Sequence, residues 1–371
     1  MQLTQQEMSL TEKDVENMDS AIAAYISKIF NLKSKMGNSS ILVYRGEARD
    51  FKETACQPNI FRNFNLDIEK NIEINILNTM SARKYAVNNS YFETAIEAQH
   101  GGFPSRLLDV TYNALVALFF AVTPHYTEKV TAYDDKHGVV YLFNIPKMYS
   151  PASSSVHDIY ENLLLDNSPL RNEKLFSNTY KLLDHTSQND RIIAQQGAFI
   201  LFYGNKAFSL PERIKTKLEI CPSLKGKIRR ELSSMFNINM GSMYPEMTNN
   251  VDNILDKIKN INALQFSYAN EIRLLINDLE MECEYRINKF ISGLQNDGID
   301  KVKNFDSIFE PVNLFKNYYK LALDNSEFKI DEKEKQELIK QFNEYVNKLH
   351  KYLNDRFGIQ APPINYFIIE E

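Results

Sequence analysis

Three short segments of the sequence combine charged or amide side chains with glycine in apolar surroundings, a setting that suits binding or catalysis. The first is Val43-Tyr44-Arg45-Gly46, at the end of an apolar run typical of a buried strand. A guanidinium in such a place is costly unless it meets an anion. Arg45 therefore binds either a phosphate or carboxylate of a ligand, or an internal Asp or Glu in an ion pair.

The second segment runs from Gln99 to Thr111 and contains His100, Arg106 and Asp109. Gly101 and Gly102 make the backbone permissive here, and Asp109 interrupts an otherwise apolar strand. This mixture of side chains has two interpretations. It recognises a polar ligand, or Arg106 and Asp109 pair with each other and with loop N–H groups.

The third segment presents two adjacent amides, Gln195 and Gln196, immediately before Gly197 and the apolar run AFILF. Glycine at this point lets a ligand or another backbone come close. A glutamine has no useful acid or base chemistry, but it can orient a hydroxyl or a ribose. The alternative is that the glutamine closes the edge of a sheet.

The elements that must position these segments follow from hydrophobic spacing and capping residues. We expect an amphipathic helix over 11–33 capped by Thr11 with Asp14, mostly helix over 64–99, a buried helix over 114–122 capped by Asn113, strands over 41–46 and 138–145, and strand character over 191–204. The polar stretch 146–190, with serines at 153–155, is predicted to be irregular. The sequence predicts an α+β fold with a mixed, mostly antiparallel sheet flanked by helices.

The chain is helical in pattern from about residue 253 onward, and residues 261–371 carry 14 basic and 19 acidic side chains. Amphipathic helices are predicted over 268–292 and 332–355. They either cover one side of the core or bind a partner such as an antitoxin, or self-associate. We therefore divide the chain into an N-terminal helix (1–35), a central domain (36–260) and an all-helical C-terminal region (261–371).

Composition excludes several classes of protein. The sequence contains no GxxxxGK[ST] or GxGxxG motif, so we expect neither a P-loop nor a dinucleotide-binding fold. It also lacks the HExxH and CxxC motifs of zinc sites and the GxSxG motif that carries the serine nucleophile of α/β-hydrolases. The longest apolar run is nine residues, too short for the roughly 20 that cross a bilayer. The N-terminus does not resemble a secretory signal, and three scattered cysteines favour a reducing compartment. We expect a cytoplasmic protein without metal and without membrane association.

One basic stretch stands out in a chain whose first 260 residues balance at 29 basic and 29 acidic side chains. Residues 206–230 hold eight basic and two acidic side chains. A basic patch near a site attracts the phosphates of nucleic acid. The alternative is a solvated face of a helix and a strand.

Taken together, the motifs resemble those of the FRG domain family, named for an aromatic residue followed by Arg-Gly. The matching segments are Tyr44-Arg45-Gly46, the stretch HGGFPSRLLDVT at 100–111 with NALVALFFA at 113–121, Arg191 with QQGAF at 195–199, and GSMYPEM at 241–247. Val110 stands where the family usually has tryptophan, and Glu246 where it has aspartate. The resemblance covers roughly residues 36–260.

The order of these motifs is also similar to that of ADP-ribosyltransferases. That looser resemblance implies a fold of the ADP-ribosyltransferase type and NAD as substrate, with Arg45 on a phosphate, Gly46 at the nicotinamide and Gln195 on the ribose. Because glutamine replaces glutamate, Asp109 or His100 would act as base, or the acceptor would be intrinsically nucleophilic. The residues assigned to catalysis are Arg45, His100, Asp109 and Gln195, and those assigned to NAD binding are Tyr44, Arg45, Gly46, Arg106, Thr111 and Gln196.

Three hypotheses about function follow. The first is a toxin or defence effector that transfers ADP-ribose to a protein or nucleic acid. The second is a nucleotide or NAD-derivative sensor that binds without turnover, which the lack of a glutamate at 195 favours. The third is an interaction module in which the motifs are structural and the acidic helical region binds a partner.

Overall fold

The structure is a computed structural model, and it divides the chain into two compact units, residues 1–260 and 261–371. It describes residues 4, 7–36, 41–85, 90–184, 186, 189–246, 254–255, 266–297, 310, 312, 316–317, 320, 323 and 325–357. No helix in these ranges is long and apolar enough to span a bilayer.

The first unit is built on one sheet, to which eight strands contribute within the described ranges. They are β1 (Ser9–Leu10), β2 (Ile41–Glu47), β3 (Leu107–Thr111), β4 (Gly138–Ile145), β5 (Met148–Tyr149), β6 (Tyr180–Leu183), β7 (Gly197–Phe202) and β8 (Lys215–Ile220). Their spatial order is β1-β8-β4-β2-β3-β7-β6-β5. Pairing is antiparallel except between β1 and β8 and between β5 and β6, at the two edges. The predicted mostly antiparallel α+β sheet is confirmed.

Helices flank this sheet. In the first unit they are α1 (Glu12–Glu16), α2 (Ala21–Lys35), α3 (Ile60–Asn63), α4 (Ile72–Ala82), α5 (Tyr91–His100), α6 (Ala114–Val122), α7 (Ser154–Leu164), α8 (Pro169–Asn172), α9 (Asp190–Gln195), α10 (Lys225–Phe236) and α11 (Met240–Met243). The expected single helix over 11–33 is two helices, because Asp19 adopts a left-handed φ of 57° between α1 and α2. The predicted Thr11–Asp14 capping box and the Asn113 cap are confirmed.

The helices form two groups on one face of the sheet. Helices α2, α6 and α10 pack in one apolar cluster with Tyr44 of β2 and with strands β4 and β8. Helices α4, α5, α7 and α9 pack in another with Leu107 of β3 and with strands β6 and β7. Tyr44 pairs with Thr111 across the two strands, so Tyr44, Thr111 and Leu107 point to the same face. Asp109, on the same strand and of the same parity, lies between the two helix groups.

The prediction that segment 146–190 is irregular is wrong. The segment contains β5, α7, α8 and β6. Val156, Tyr160 and Leu163 repeat at the spacing of one helix face and are completely buried. The serines that suggested a loop mark only the start of α7, whose N-cap is Ser153. Strand character over 191–195 is also wrong, because these residues belong to helix α9 and the strand begins at Gly197.

The second unit contains the helices α12 (Tyr268–Asp297) and α13 (Glu332–Phe357). The predicted helical C-terminal region is therefore present. Its apolar cluster includes Ile272, Ile276, Leu279 and Cys283 from α12 and Leu338, Phe342, Tyr345 and Leu349 from α13. Tyr352, expected on the same face, is instead 42% exposed.

Candidate functional site

A cavity of about 450 Å³ lies between the two helix groups, above the junction of β2 and β3. All three motif segments contribute to it. Its lining consists of Tyr44, Arg45, Gly46, Asn59, Gln99, Gly102, Asp109, Val110, Thr111, Phe120, His125, Tyr126, Arg191, Gln195 and Tyr244. Cavities of roughly 300–1,000 Å³ commonly hold small-molecule ligands.

The floor of the cavity is a weakly paired junction in the sheet. Strand β2 pairs with β4 at every position from Ile41 to Glu47, whereas its described pairing with β3 is the single pair Tyr44 and Thr111. Beyond that pair, Arg45 Nη1 donates to the backbone carbonyl of Asp109 at 2.9 Å. A side chain thus links the two strands where backbone hydrogen bonds would otherwise do so.

The guanidinium of Arg45 also forms an ion pair with Glu47 of the same strand. Its Nε lies 3.1 Å from Glu47 Oε1, which also accepts a hydrogen bond from the backbone N–H of Cys56 at 3.0 Å. Burial opposes the charged form of Arg45, but Glu47, Cys56 and Asp109 together raise the pKa of the guanidinium. The internal ion pair considered from the sequence is therefore present, and Arg45 still lines the cavity.

Gly46 allows the sheet and helix α6 to approach closely. A Cβ at this position would lie 1.9 Å from the backbone oxygen of Ala117 and 2.6 Å from the backbone nitrogen of Ala121. No side chain fits there without displacing α6. The Arg-Gly pair therefore sets the distance between β2 and the helix whose Phe120 lines the cavity.

Asp109 and Gln99 form the acidic and amide part of the lining. Gln99, near the end of α5, donates from Nε2 to Asp109 Oδ2 at 2.9 Å. The other oxygens, Asp109 Oδ1 and Gln99 Oε1, are both buried and have no hydrogen-bond partner among the described residues. Gly102, with a φ of 80°, turns the chain after α5 so that it continues toward β3.

Thr111 and Gln195 line the cavity but use much of their hydrogen-bonding capacity internally. Thr111 Oγ1 donates to the backbone oxygen of Gln195 at 2.7 Å and accepts from the N–H of Asn113. The side-chain amide of Gln195 donates from Nε2 to the backbone oxygen of Met243 at 2.9 Å. These bonds fix the C-terminal end of α9 to β3 and to α11.

One wall of the cavity is aromatic, with a cation beside it. The rings of Tyr126 and Tyr244 lie 4.8 Å apart, and the Arg191 guanidinium lies 5.0 Å from the centroid of each. Arg191 also forms an ion pair with Glu246. Burial, together with the positive charge of Arg191, lowers the pKa of His125 on this wall.

The structure does not place Arg106 as the sequence analysis predicts, because Arg106 neither pairs with Asp109 nor lines the cavity. It is completely buried, and its Nε lies 2.8 Å from Glu73 Oε2. Its Nη1 donates to the backbone oxygens of Phe202 and Gly204. Its side chain is fully buried among these partners and is absent from the lining of the cavity.

The remaining predicted residues lie apart from the cavity or outside the described side chains. Gln196 is exposed, adopts a left-handed φ of 47° as the C-cap of α9, and is absent from the lining. His100 is the last residue of α5, and its side chain lies outside the described part of the structure. Met247, at the end of the closing motif, also lies outside the described residues.

The basic stretch 206–230 contains several ion pairs with carboxylates of the first unit. Lys217 pairs with Asp50 and Glu219, Arg229 with Asp134, and Lys227 with Glu231. Lys206 pairs with Asp67, and Lys225 is buried. Four of the eight basic side chains in the stretch thus pair with carboxylates of the same unit, which favours the solvated-face interpretation.

Nine lining residues were not chosen as site residues from the sequence: Asn59, Gln99, Gly102, Val110, Phe120, His125, Tyr126, Arg191 and Tyr244. Arg191 and Tyr244 lie within the motifs that carry the family resemblance, and that was the available signal. His125 and Tyr126 follow α6 in a turn-rich segment with no periodicity or motif. Within the described ranges, no group of three or more His, Cys, Asp or Glu side chains is placed to hold a metal ion.

Comparison with known families agrees with the motifs. Residues 40–129, which span β2 to the segment after α6, match the family model described as FRG domain. This match confirms the resemblance to that family, while the resemblance to ADP-ribosyltransferases stays a prediction. No curated protein and no solved structure matches the chain.

Proposed function

We propose that the cavity binds NAD and that the protein transfers ADP-ribose from it to a protein or nucleic acid, as a cytoplasmic toxin or anti-phage effector. The observation that carries this proposal is the convergence of three segments, distant in sequence, on one cavity. Arg45, Asp109 and Gln195 all line it. Its volume of about 450 Å³ suits the reactive half of a dinucleotide.

Arg45 is suited to hold a phosphate. Its Nε and Nη1 are occupied by Glu47 and by the backbone of Asp109, so the guanidinium is fixed in one orientation. Its Nη2 has no acceptor among the described residues and is available to a ligand anion. A fixed guanidinium binds phosphate without losing further side-chain freedom.

The aromatic wall is suited to a planar ring. Phe120, Tyr126 and Tyr244 offer faces and edges against which a nicotinamide or a purine can stack. Arg191 beside them leaves the wall positively charged, although Glu246 offsets part of that charge.

Asp109 is suited to the transfer step. The bond between nicotinamide and the anomeric carbon breaks, the electron pair leaves with nicotinamide, and a nucleophile of the target bonds to the carbon. Positive charge develops on the sugar, and a nearby carboxylate stabilises it. The same carboxylate then takes the proton that the nucleophile loses, a role that Gln195 cannot fill.

The experiment is to incubate the protein with NAD and a cell extract and to measure nicotinamide release, with the Arg45→Ala variant in parallel. Arg83→Ala, an exposed arginine outside the cavity, is the matched control. We expect release by the wild type and by the control, and loss in Arg45→Ala with the melting temperature of that variant recorded. Absence of release from the wild type contradicts the transferase proposal.

A second candidate is a sensor that binds NAD or a related nucleotide without turnover. The observation in its favour is that two polar side chains of the cavity are engaged within the protein. The Gln195 amide donates to the backbone oxygen of Met243, and the Thr111 hydroxyl donates to the backbone oxygen of Gln195. A rise in melting temperature with NAD, without nicotinamide release, would support this candidate. If NAD produces neither effect, an interaction module remains.

A further inference from the structure

We infer that Asp109 and Gln99 form a ribose subsite, in which their two oxygens accept hydrogen bonds from the neighbouring hydroxyls of a cis-diol. The ligand would then be a ribonucleotide, and its 2′-deoxy counterpart would be discriminated against. The inference deepens the proposed function and rests on the same cavity.

The first step concerns the orientation of Gln99. Its amide must turn its nitrogen toward the Asp109 carboxylate, because a carboxylate oxygen accepts and the amide nitrogen donates. The amide oxygen therefore points away from Asp109 Oδ2. The two side chains are linked by this hydrogen bond.

The second step concerns the oxygens that this pair leaves unsatisfied. Asp109 Oδ1 and Gln99 Oε1 are buried and lack a donor among the described residues. Buried acceptors without partners are uncommon, and each costs free energy that a suitable donor recovers. Two such acceptors on linked side chains require a group with two donors.

The third step concerns access. Both residues line the cavity, so a ligand bound in the cavity would lie beside them. The terminal torsions of Asp and Gln are soft, and a small rotation turns the free oxygens toward that space. The cation on β2, Arg45, donates to Glu47 and to the backbone oxygen of Asp109 rather than to these two side-chain oxygens.

The fourth step identifies the donors as sugar hydroxyls. Carboxylates that bind nucleotides commonly accept from ribose hydroxyls. Arg45 binds the backbone of Asp109 itself, so the proposed phosphate position and the acceptor pair are neighbours. A nucleotide has the same order, with phosphate, sugar and then a flat base that the aromatic wall can hold.

The test is calorimetric titration of the wild-type chain with NAD and with the four ribonucleoside 5′-monophosphates, each beside its 2′-deoxy and 3′-deoxy counterparts. A hydrogen bond to a charged group predicts that removing one hydroxyl weakens binding by about 10- to 100-fold. Asp109→Asn and Gln99→Met should bring that ratio close to one. Asp158→Asn, an exposed residue on α7, is the matched control and should retain the ratio.

The outcomes separate this inference from the proposed function. Equal affinity for ribo and deoxy ligands, or binding of none of them, overturns the ribose subsite. Discrimination that persists in Asp109→Asn and Gln99→Met also overturns it. If the wild type binds ribo ligands more tightly than deoxy ligands but releases no nicotinamide, the ribose subsite is supported and the proposed transferase activity is contradicted. Because the deoxy comparison uses only wild-type protein, poor folding of a variant does not affect it.

Discussion

Arg106 and Glu73 form a completely enclosed ion pair, in which Arg106 Nε lies 2.8 Å from Glu73 Oε2. The pair joins β3 to helix α4, and Tyr160 of α7 donates to Glu73 Oε1 at 2.8 Å. Three elements that surround α5 thus meet at one buried network. Because α5 carries Gln99, this network supports the polar side of the cavity without contacting a ligand.

Arg106→Met should lower the free energy of unfolding by about 3–5 kcal/mol, because it leaves the Glu73 carboxylate buried without its cation. The double variant Arg106→Met with Glu73→Leu should be more stable than the single variant, since both charges are then absent. Urea denaturation measures both. A single variant as stable as wild type would contradict the buried charge pair.

Gly46→Ala should destabilise the first unit by about 3 kcal/mol or more, because its Cβ would overlap the backbone of α6 at Ala117. Gly226→Ala is the matched control. A Cβ at Gly226 meets no atom closer than 3.7 Å, and alanine favours helix, so this variant should gain up to about 1 kcal/mol. Denaturation curves that shift in the same direction for both variants would contradict the close approach of β2 and α6.

The four adjacent strands β4, β2, β3 and β7 could be predicted from the sequence because they are mostly apolar runs, whereas β1, β5, β6 and β8 were not predicted. The residues of the cavity could be predicted only where a motif contained them. Arg106 shows the limit: its motif marks it as important, but its partner Glu73 lies 33 positions earlier on a helix with several other acidic side chains nearby. Only the packing of α4 against β3 decides which carboxylate it meets.

Helix α7 and the aromatic wall of the cavity were the least predictable features. Helix α7 was missed because serines at its start outweighed the helical spacing of Val156, Tyr160 and Leu163. Tyr126 and Tyr244 lie 118 positions apart in irregular segments, and nothing in their local sequence brings the two rings together. Tertiary contacts determine such residues.

Lys225 should make stability depend on pH in the alkaline range. Its ammonium is buried and donates to the backbone oxygens of Ala48 and Tyr133. Burial lowers its pKa from 10.5 to about 8, with Asp134 and Asp135 opposing the shift and Arg229 adding to it. Between pH 8 and 10.5 the unfolded chain therefore binds a proton that the folded chain has released.

The unfolding free energy of wild type relative to Lys225→Met should consequently rise as pH increases from about 8 to 10.5. Below pH 8 the relative value should be constant, because both states are protonated. Urea denaturation at several pH values measures it, and Lys33→Met, an exposed lysine, is the control that should show no trend. A flat or falling profile for Lys225→Met would contradict the pKa shift.

The fragment 1–260 should fold on its own, which decides between the two interpretations of the C-terminal helices. The apolar clusters beneath α6, beneath α5 and on the opposite face of the sheet consist of residues from the first unit. Every residue that lines the cavity also comes from that unit. We expect the fragment to be monodisperse and to unfold cooperatively in calorimetry. Its dissociation constants for nucleotides should be within about twofold of those of the full chain, because no residue that lines the cavity is removed. Aggregation or a non-cooperative transition would instead show that the helices of 261–371 cover apolar surface of the first unit, and would favour packing over partner binding as their role.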